Sequence, residues 1–305
     1  MGAELSADAG QWDACATGFA LLCYLGYGHT QRAGHFRTQV ANGLAWLEEA
    51  QAEDGSFSPN NYVHAVATMA VVEAHAMCPD SRLEAMGRRA VAVILARQNP
   101  YLGWDYGAPS TRNDTSVTGW QIMALKSAKA AGFDIGTAFD GALAHLDRVT
   151  PALISGEGAR LAEDCAYTYY TDKDDPGHRN STMTAISMLC RIFMGARVAS
   201  PLLAGHTRMV AEHMPAAYDG AGLYEWYYAT LAMHQVGGRN WAAWGAAITR
   251  VLEGVQCGKG CARGSWDPTT DFACQKAGRL FATVMGCLSM EVPFRYARMG
   301  AMQRI

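Results

Sequence analysis

Three carboxylates lie within four residues in the run Asp172-Lys173-Asp174-Asp175. An acid catalyst needs a carboxylic acid held protonated, with neighbouring carboxylates and hydrogen bonds supporting its acidity. The run meets that description. It also reads as a solvated acidic loop, because charge clusters gather in turns and Pro176-Gly177 follows at once.

A second acidic position stands in Asn113-Asp114-Thr115-Ser116-Val117, at the start of an apolar helical pattern. Asp114 or Thr115 there suits an N-cap, worth roughly 1 kcal/mol. Aromatic residues gather near the starts of the same kind of helix: Tyr62, Trp120, Tyr167, Tyr169, Tyr170, Trp226, Tyr227 and Tyr228, with Glu225 a further carboxylate in the densest patch. Such rings either pack a core or line a cavity, where their faces stabilise cations and apolar chains by about 0.5–2 kcal/mol each. Cys257, Cys261 and Cys274, with Asp267, read as ordinary loop thiols, one disulfide or an irregular zinc set. His64, His75, His178 and His234 are scattered, and a lone helical histidine suits a satisfied core position. No Gly-rich phosphate loop, nucleophile elbow or HExxH occurs. No metal and no cofactor is therefore assigned.

The elements that must position these residues are helical throughout. Apolar residues recur at helical spacing almost everywhere, and no run alternates as a strand would. One helix set is expected near 13–26, 61–77, 115–131, 180–194, 224–236 and 277–290, with bounds good to about four residues. A second is expected near 36–50, 81–98, 136–149, 201–214 and 240–256, to about the same tolerance. The first set is apolar on nearly every face, as in Ala65-Val66-Ala67-Thr68-Met69-Ala70, which means burial on all sides. The second is amphipathic, with Arg37, Gln39, Glu48 and Glu49 or Arg82, Glu84, Arg88 and Arg89 on one side. Alternating buried and half-exposed helices fit two concentric rings, an all-α (α/α)6 barrel or toroid of about six hairpins. One domain over residues 1–305, or a piece of a longer protein, is the expected organisation.

The hairpin junctions repeat as well. Gln51 is followed by Gly55-Ser56-Phe57, Gln98 by Gly103-Trp104-Asp105, and Gln256 by Gly264-Ser265-Trp266. Gln can bond helix-end groups while the ring packs onto the next hairpin. These Gln–Gly–aromatic junctions resemble the QW repeats of squalene–hopene cyclases and the related repeats of prenyltransferase β subunits. Thr115 to Trp120 and Tyr227 to Thr230 also look like segments of bacterial cyclase-repeat proteins. The resemblance spans nearly the whole chain, although the third and fourth junctions lack the Gln.

That resemblance implies a toroid and, at Asp172-Lys173-Asp174-Asp175, the acid motif of class II terpene cyclases. In those enzymes the middle Asp, here Asp174, protonates an alkene or epoxide, supported by Asp172 and Asp175. The substrate would be an apolar isoprenoid, bound by Tyr62, Trp120, Tyr169, Tyr170, Trp226 and Tyr227. The family's motif runs straight into a buried helix, whereas here Pro176-Gly177-His178-Arg179 intervenes. At Asn113-Asp114 the position suits the family but an amide replaces the acid. Prenyltransferase zinc ligands are not matched by Asp271 and Cys274. The alternative is a non-catalytic toroid that binds a peptide, lipid or protein partner at its mouth.

Composition limits the rest. The 305 residues are 50% hydrophobic and 17% charged, with net charge -3. No basic tract breaks that balance, so nucleic acid is not expected as a partner. The apolar run 14–27 is too short to span a bilayer and lacks the basic flank of a signal peptide. Cysteines inside apolar helical patterns, such as Cys23, Cys190 and Cys287, favour a reducing, cytoplasmic setting.

Overall fold

A computed structural model describes residues 9–150 and 180–295. Among them stand eleven α-helices and no strand. The helices are α1 (Asp13–Gly26), α2 (Arg37–Ala50), α3 (Asn61–Met77), α4 (Ser81–Ala96), α5 (Thr115–Ala130) and α6 (Ala138–Arg148). They continue as α7 (Ser181–Phe193), α8 (Pro201–Glu212), α9 (Leu223–Val236), α10 (Gly238–Val255) and α11 (Phe272–Arg295). The fold is all-α, as the periodicity requires.

Most helices begin where a short polar side chain can satisfy the free N–H groups of the first turn. Asn60 Oδ1 accepts from Tyr62 N at 2.9 Å, and Asp114 Oδ1 from Ser116 N and Val117 N at 2.9 and 3.0 Å. Asp80, Asn180 and Ser200 cap α4, α7 and α8, the last with Pro201 at the first helical position. α11 starts five residues before the expected 277. Asp271 caps Ala273 and Cys274, and the resulting turn meets the main helix at Gly278, whose φ of 68° is non-helical.

The helices fall into two compact units, divided between Ala142 and Leu143. In the first, α1 packs on α3 and α3 on α5, while α2 and α4 lie against α1 and α3. In the second, α9 packs between α7 and α11, with α8 against α7 and α10 against α9. The two helix characters separate as their compositions demand. α3, α5, α7 and α9 are buried on nearly every face, whereas α2 buries only Val40, Leu44 and Leu47. Gly18 lets α1 approach α3 closely: a Cβ there would stand 3.1 Å from the Ala67 backbone.

The three Gln–Gly–aromatic junctions share a hydrogen-bond scheme. Gln51 Nε2 donates to Gly55 O and Met86 O, both at 3.0 Å. Gln98 Nε2 donates to Leu102 O at 2.7 Å and Ala138 O at 2.8 Å. Gln256 Nε2 donates to Gly264 O at 2.9 Å. Each Gln thus closes its own turn, and the first two also reach the next amphipathic helix. The aromatic that follows is buried in every case. Trp104 Nε1 donates back to Ile94 O at 2.8 Å, and Trp266 Nε1 to Leu252 O at 2.9 Å. The backbone N–H of each aromatic donates forward to a side chain of the next buried helix: Phe57 to His64, Trp104 to Thr118, Trp266 to Thr283.

Candidate functional site

Five of the sequence-derived site residues, Asp172, Asp174, Asp175, Tyr169 and Tyr170, lie outside the described residues. The other four divide between the units. Tyr62 sits in the first turn of α3, Trp120 in the second turn of α5, and Trp226 and Tyr227 in the first turn and a half of α9.

In the first unit Trp120 is fully buried, with Phe19 edge-on at 5.3 Å and Tyr62 edge-on at 5.6 Å. Tyr62 is the half-buried member of the group, so it is the ring a ligand would meet first. Below it the helix starts are tied by polar bonds. Asn61 Nδ2 donates to Asp105 O and Gly107 O, and Gln121 Nε2 donates to Asn61 O at 2.8 Å. Arg97 Nη1 donates to Ser58 O at 2.8 Å.

Asp114 belongs to the same end and is fully buried. Its Oδ1 accepts from Ser116 N, Val117 N and Ser116 Oγ, and Oδ2 from Arg112 Nη2 at 3.1 Å. Burial pushes the carboxyl above the usual carboxylate range, opposed by those donors and by the Arg112 charge. A carboxylate so engaged is a cap, not a proton donor to a bound molecule. Asn113 is buried beside it and accepts from Asn99 Nδ2 at 2.9 Å. The capping role expected for Asp114 is what the geometry gives.

In the second unit the starts of α7 and α9 bring together groups that are far apart in sequence. Thr182 Oγ1 donates to Glu225 Oε2 at 3.4 Å, and His213 Nδ1 stands 3.7 Å from Glu225 Oε1. Glu225 lies in the first turn of α9, where exposed N–H groups attract a carboxylate. Tyr224 is edge-on to Tyr228 at 5.2 Å and tilted against Phe281 at 6.4 Å. Trp226, Tyr227 and Tyr228 are buried. Tyr224 and Phe281 remain half-buried. A carboxylate, an imidazole and a hydroxyl that converge in this way can hold or pass a proton. Sequence reading marked Glu225 but not Thr182 or His213; no spacing rule links residues on three separate elements.

His64 is structural. Its Nδ1 accepts from Phe57 N at 3.1 Å, so Nε2 carries the proton and donates to Ala90 O at 3.0 Å. Burial lowers its pKa to about 4. Cys274 is buried, Cys257 half-buried and Cys261 exposed. Among the described residues no three His, Cys, Asp or Glu side chains converge as a metal's donor set. Among them, too, no helix is long and apolar enough to cross a membrane.

Neither a family model nor a curated protein matches the chain.

Proposed function

We propose that the chain is an isoprenoid-handling toroid, related in chemistry to class II, protonation-initiated terpene cyclases. The observation that carries this reading is the aromatic arrangement at the helix starts. In each unit a half-buried tyrosine stands edge-on to a buried ring, Tyr62 on Trp120 and Tyr224 on Tyr228, and in the second unit Glu225 follows Tyr224 in the first turn of α9. The faces of aromatic rings suit polyene chains and the cations formed from them.

In this proposal Asp174 donates the initiating proton, with Asp172 and Asp175 supporting its acidity. Tyr169 and Tyr170, close to that acid in sequence, with Tyr62 and Trp120 of the first unit and Trp226 and Tyr227 of the second, are the aromatic residues that the resemblance offers to an apolar chain. Proton transfer of this kind needs no cofactor. The test is incubation of the purified protein with squalene, oxidosqualene and geranylgeranyl diphosphate, beside Asp174→Asn. Cyclised product from the native chain and none from the variant is the expected outcome. Absence of product from all three substrates would sink the catalytic reading.

A second reading, a non-catalytic toroid holding a lipid, peptide or protein, draws on Asp114. The segment placed like the family's acid motif has its carboxylate fully engaged by the fold. Saturable binding of a radiolabelled polyprenol without turnover, unaltered by Asp174→Asn, would favour it.

A further inference from the structure

The loop after α10 holds a nucleophile with charged neighbours, away from the helix starts just described. Cys257 and Cys261 lie in a turn whose neck is pinned by Cys257 N to Ser265 O at 2.9 Å and Gly264 N to Cys257 O at 2.7 Å. Ser265 N donates to Ala262 O at 3.0 Å and tightens it further. The Cys257 backbone is therefore held in a closed turn. Arg279 Nη1 reaches Sγ at 3.5 Å, and Sγ–H donates to Asp267 Oδ2 at 3.8 Å. Arg279 is itself held by Ser265 Oγ at 2.9 Å and by an ion pair with Asp267 Oδ1. Tyr218 Oη donates to the Asp267 carbonyl and anchors that side of the loop.

We propose that Cys257 and Cys261 form a thiol–disulfide exchange site that takes a small disulfide as its substrate, with Arg279 as the cation that supports the attacking sulfur. A nucleophile within reach of a charged partner, which a third group orients, is the arrangement that activates a thiol. The site is open: Arg279 and Asp267 side chains are 42% and 63% exposed, and Cys261 is exposed. The buried thiols are not comparable. Burial pushes Cys15 and Cys190 far above the ordinary thiol range, and Cys274 up to about 11.

The step balances as ordinary exchange. The Cys257 thiol loses its proton to solvent, and the thiolate attacks one sulfur of the disulfide RSSR. The S–S bond breaks, a mixed disulfide forms and one RS⁻ leaves. Cys261, deprotonated in turn, attacks Cys257 Sγ and expels the second RS⁻. Two protein thiols are oxidised to one disulfide, and RSSR is reduced to two thiols. Asp267 is a positioning residue: it holds Arg279 and the S–H, and its negative charge opposes the thiolate.

That charge logic gives the experiment. The reduced protein is treated with glutathione disulfide and mapped by mass spectrometry, and iodoacetamide alkylation of each cysteine is followed against pH. Native chain is expected to form a Cys257–Cys261 disulfide, and Cys261→Ser to trap glutathione on Cys257. Arg279→Gln should slow Cys257 alkylation at pH 7 by roughly threefold, and Asp267→Asn should speed it by about as much. A role confined to holding the loop would move both variants the same way. Thermal melts of each variant establish that the loop change has not unfolded the chain, with Arg279→Lys as the conservative control that retains the native rate. Same-direction shifts, faster reaction at another cysteine, or no Cys257–Cys261 disulfide would overturn the proposal. None of these readouts depends on isoprenoid turnover.

Discussion

The Asp114 carboxylate serves four donors at once, from Ser116, Val117 and Arg112, at full burial. Removing it strands two helix N–H groups and takes one carboxylate from the Arg112 guanidinium, which also pairs with Asp105. Asp114→Ala should therefore cost about 1–2 kcal/mol or more, while Asp114→Asn, which retains a capping oxygen, should cost less. Urea denaturation of the three proteins checks the order; equal stability of all three would remove the capping assignment. The same pair of variants separates structure from catalysis. A cyclase whose acid is Asp174 keeps its product pattern in Asp114→Asn.

At the scale of elements, the junction glutamines differ in how far they reach. Gln51 and Gln98 each bond two carbonyls, one of them on the next amphipathic helix, whereas among the described residues Gln256 bonds Gly264 alone, within its own turn. Replacement by Ala should cost about 1–3 kcal/mol at Gln51 and Gln98, and about 1 kcal/mol or less at the exposed Gln256. Thermal melts rank the three, and a Gln256 loss as large as the others would contradict the geometry. These helices were largely readable from sequence, because period and cap coincide. Asn60 and Asp114 stand directly before apolar runs, and α3 spans the expected 61–77 while α5 ends one residue short of the expected 131. The start of α11 was not readable, because a glycine inside a helical pattern does not say whether its φ turns positive. Site assembly was hidden for a different reason. Thr182, His213 and Glu225 meet through packing of three elements, and Cys257 meets Arg279 across 22 residues; neither carries a periodic signature.

For the whole molecule, acid is the informative variable. His64 in the first unit and His145 and His206 in the second are buried, with pKa values lowered to about 4, 4 and 3. Desolvation is the leading cause in each, and the Arg191 charge adds to it at His145 and His206. Unfolded histidine titrates near 6.5, so below that pH the unfolded chain binds protons that the folded chain refuses. Stability is complete above about pH 6.5 and falls as pH drops toward 4, by about 2 kcal/mol per ring at pH 5. The second unit carries two such rings beside Arg191, whose Nη1 pairs with Asp147 at 2.7 Å. Hydrogen exchange at pH 5, corrected for intrinsic rates, should therefore show α7 and α8 losing protection before α3 and α4. Loss in the reverse order would place the acid-sensitive group elsewhere.

The junctions also bear on how such a chain can change length over generations. Residues 52–98 contain both Met86, which receives the bond from Gln51, and Gln98, which sends the next bond to Ala138. A tandem in-frame duplication of that stretch would carry its own acceptor and its own donor. The copied hairpin would then find a partner on either side without any new substitution, so gain or loss of whole hairpins is an easier genetic step for this chain than repair of a broken one.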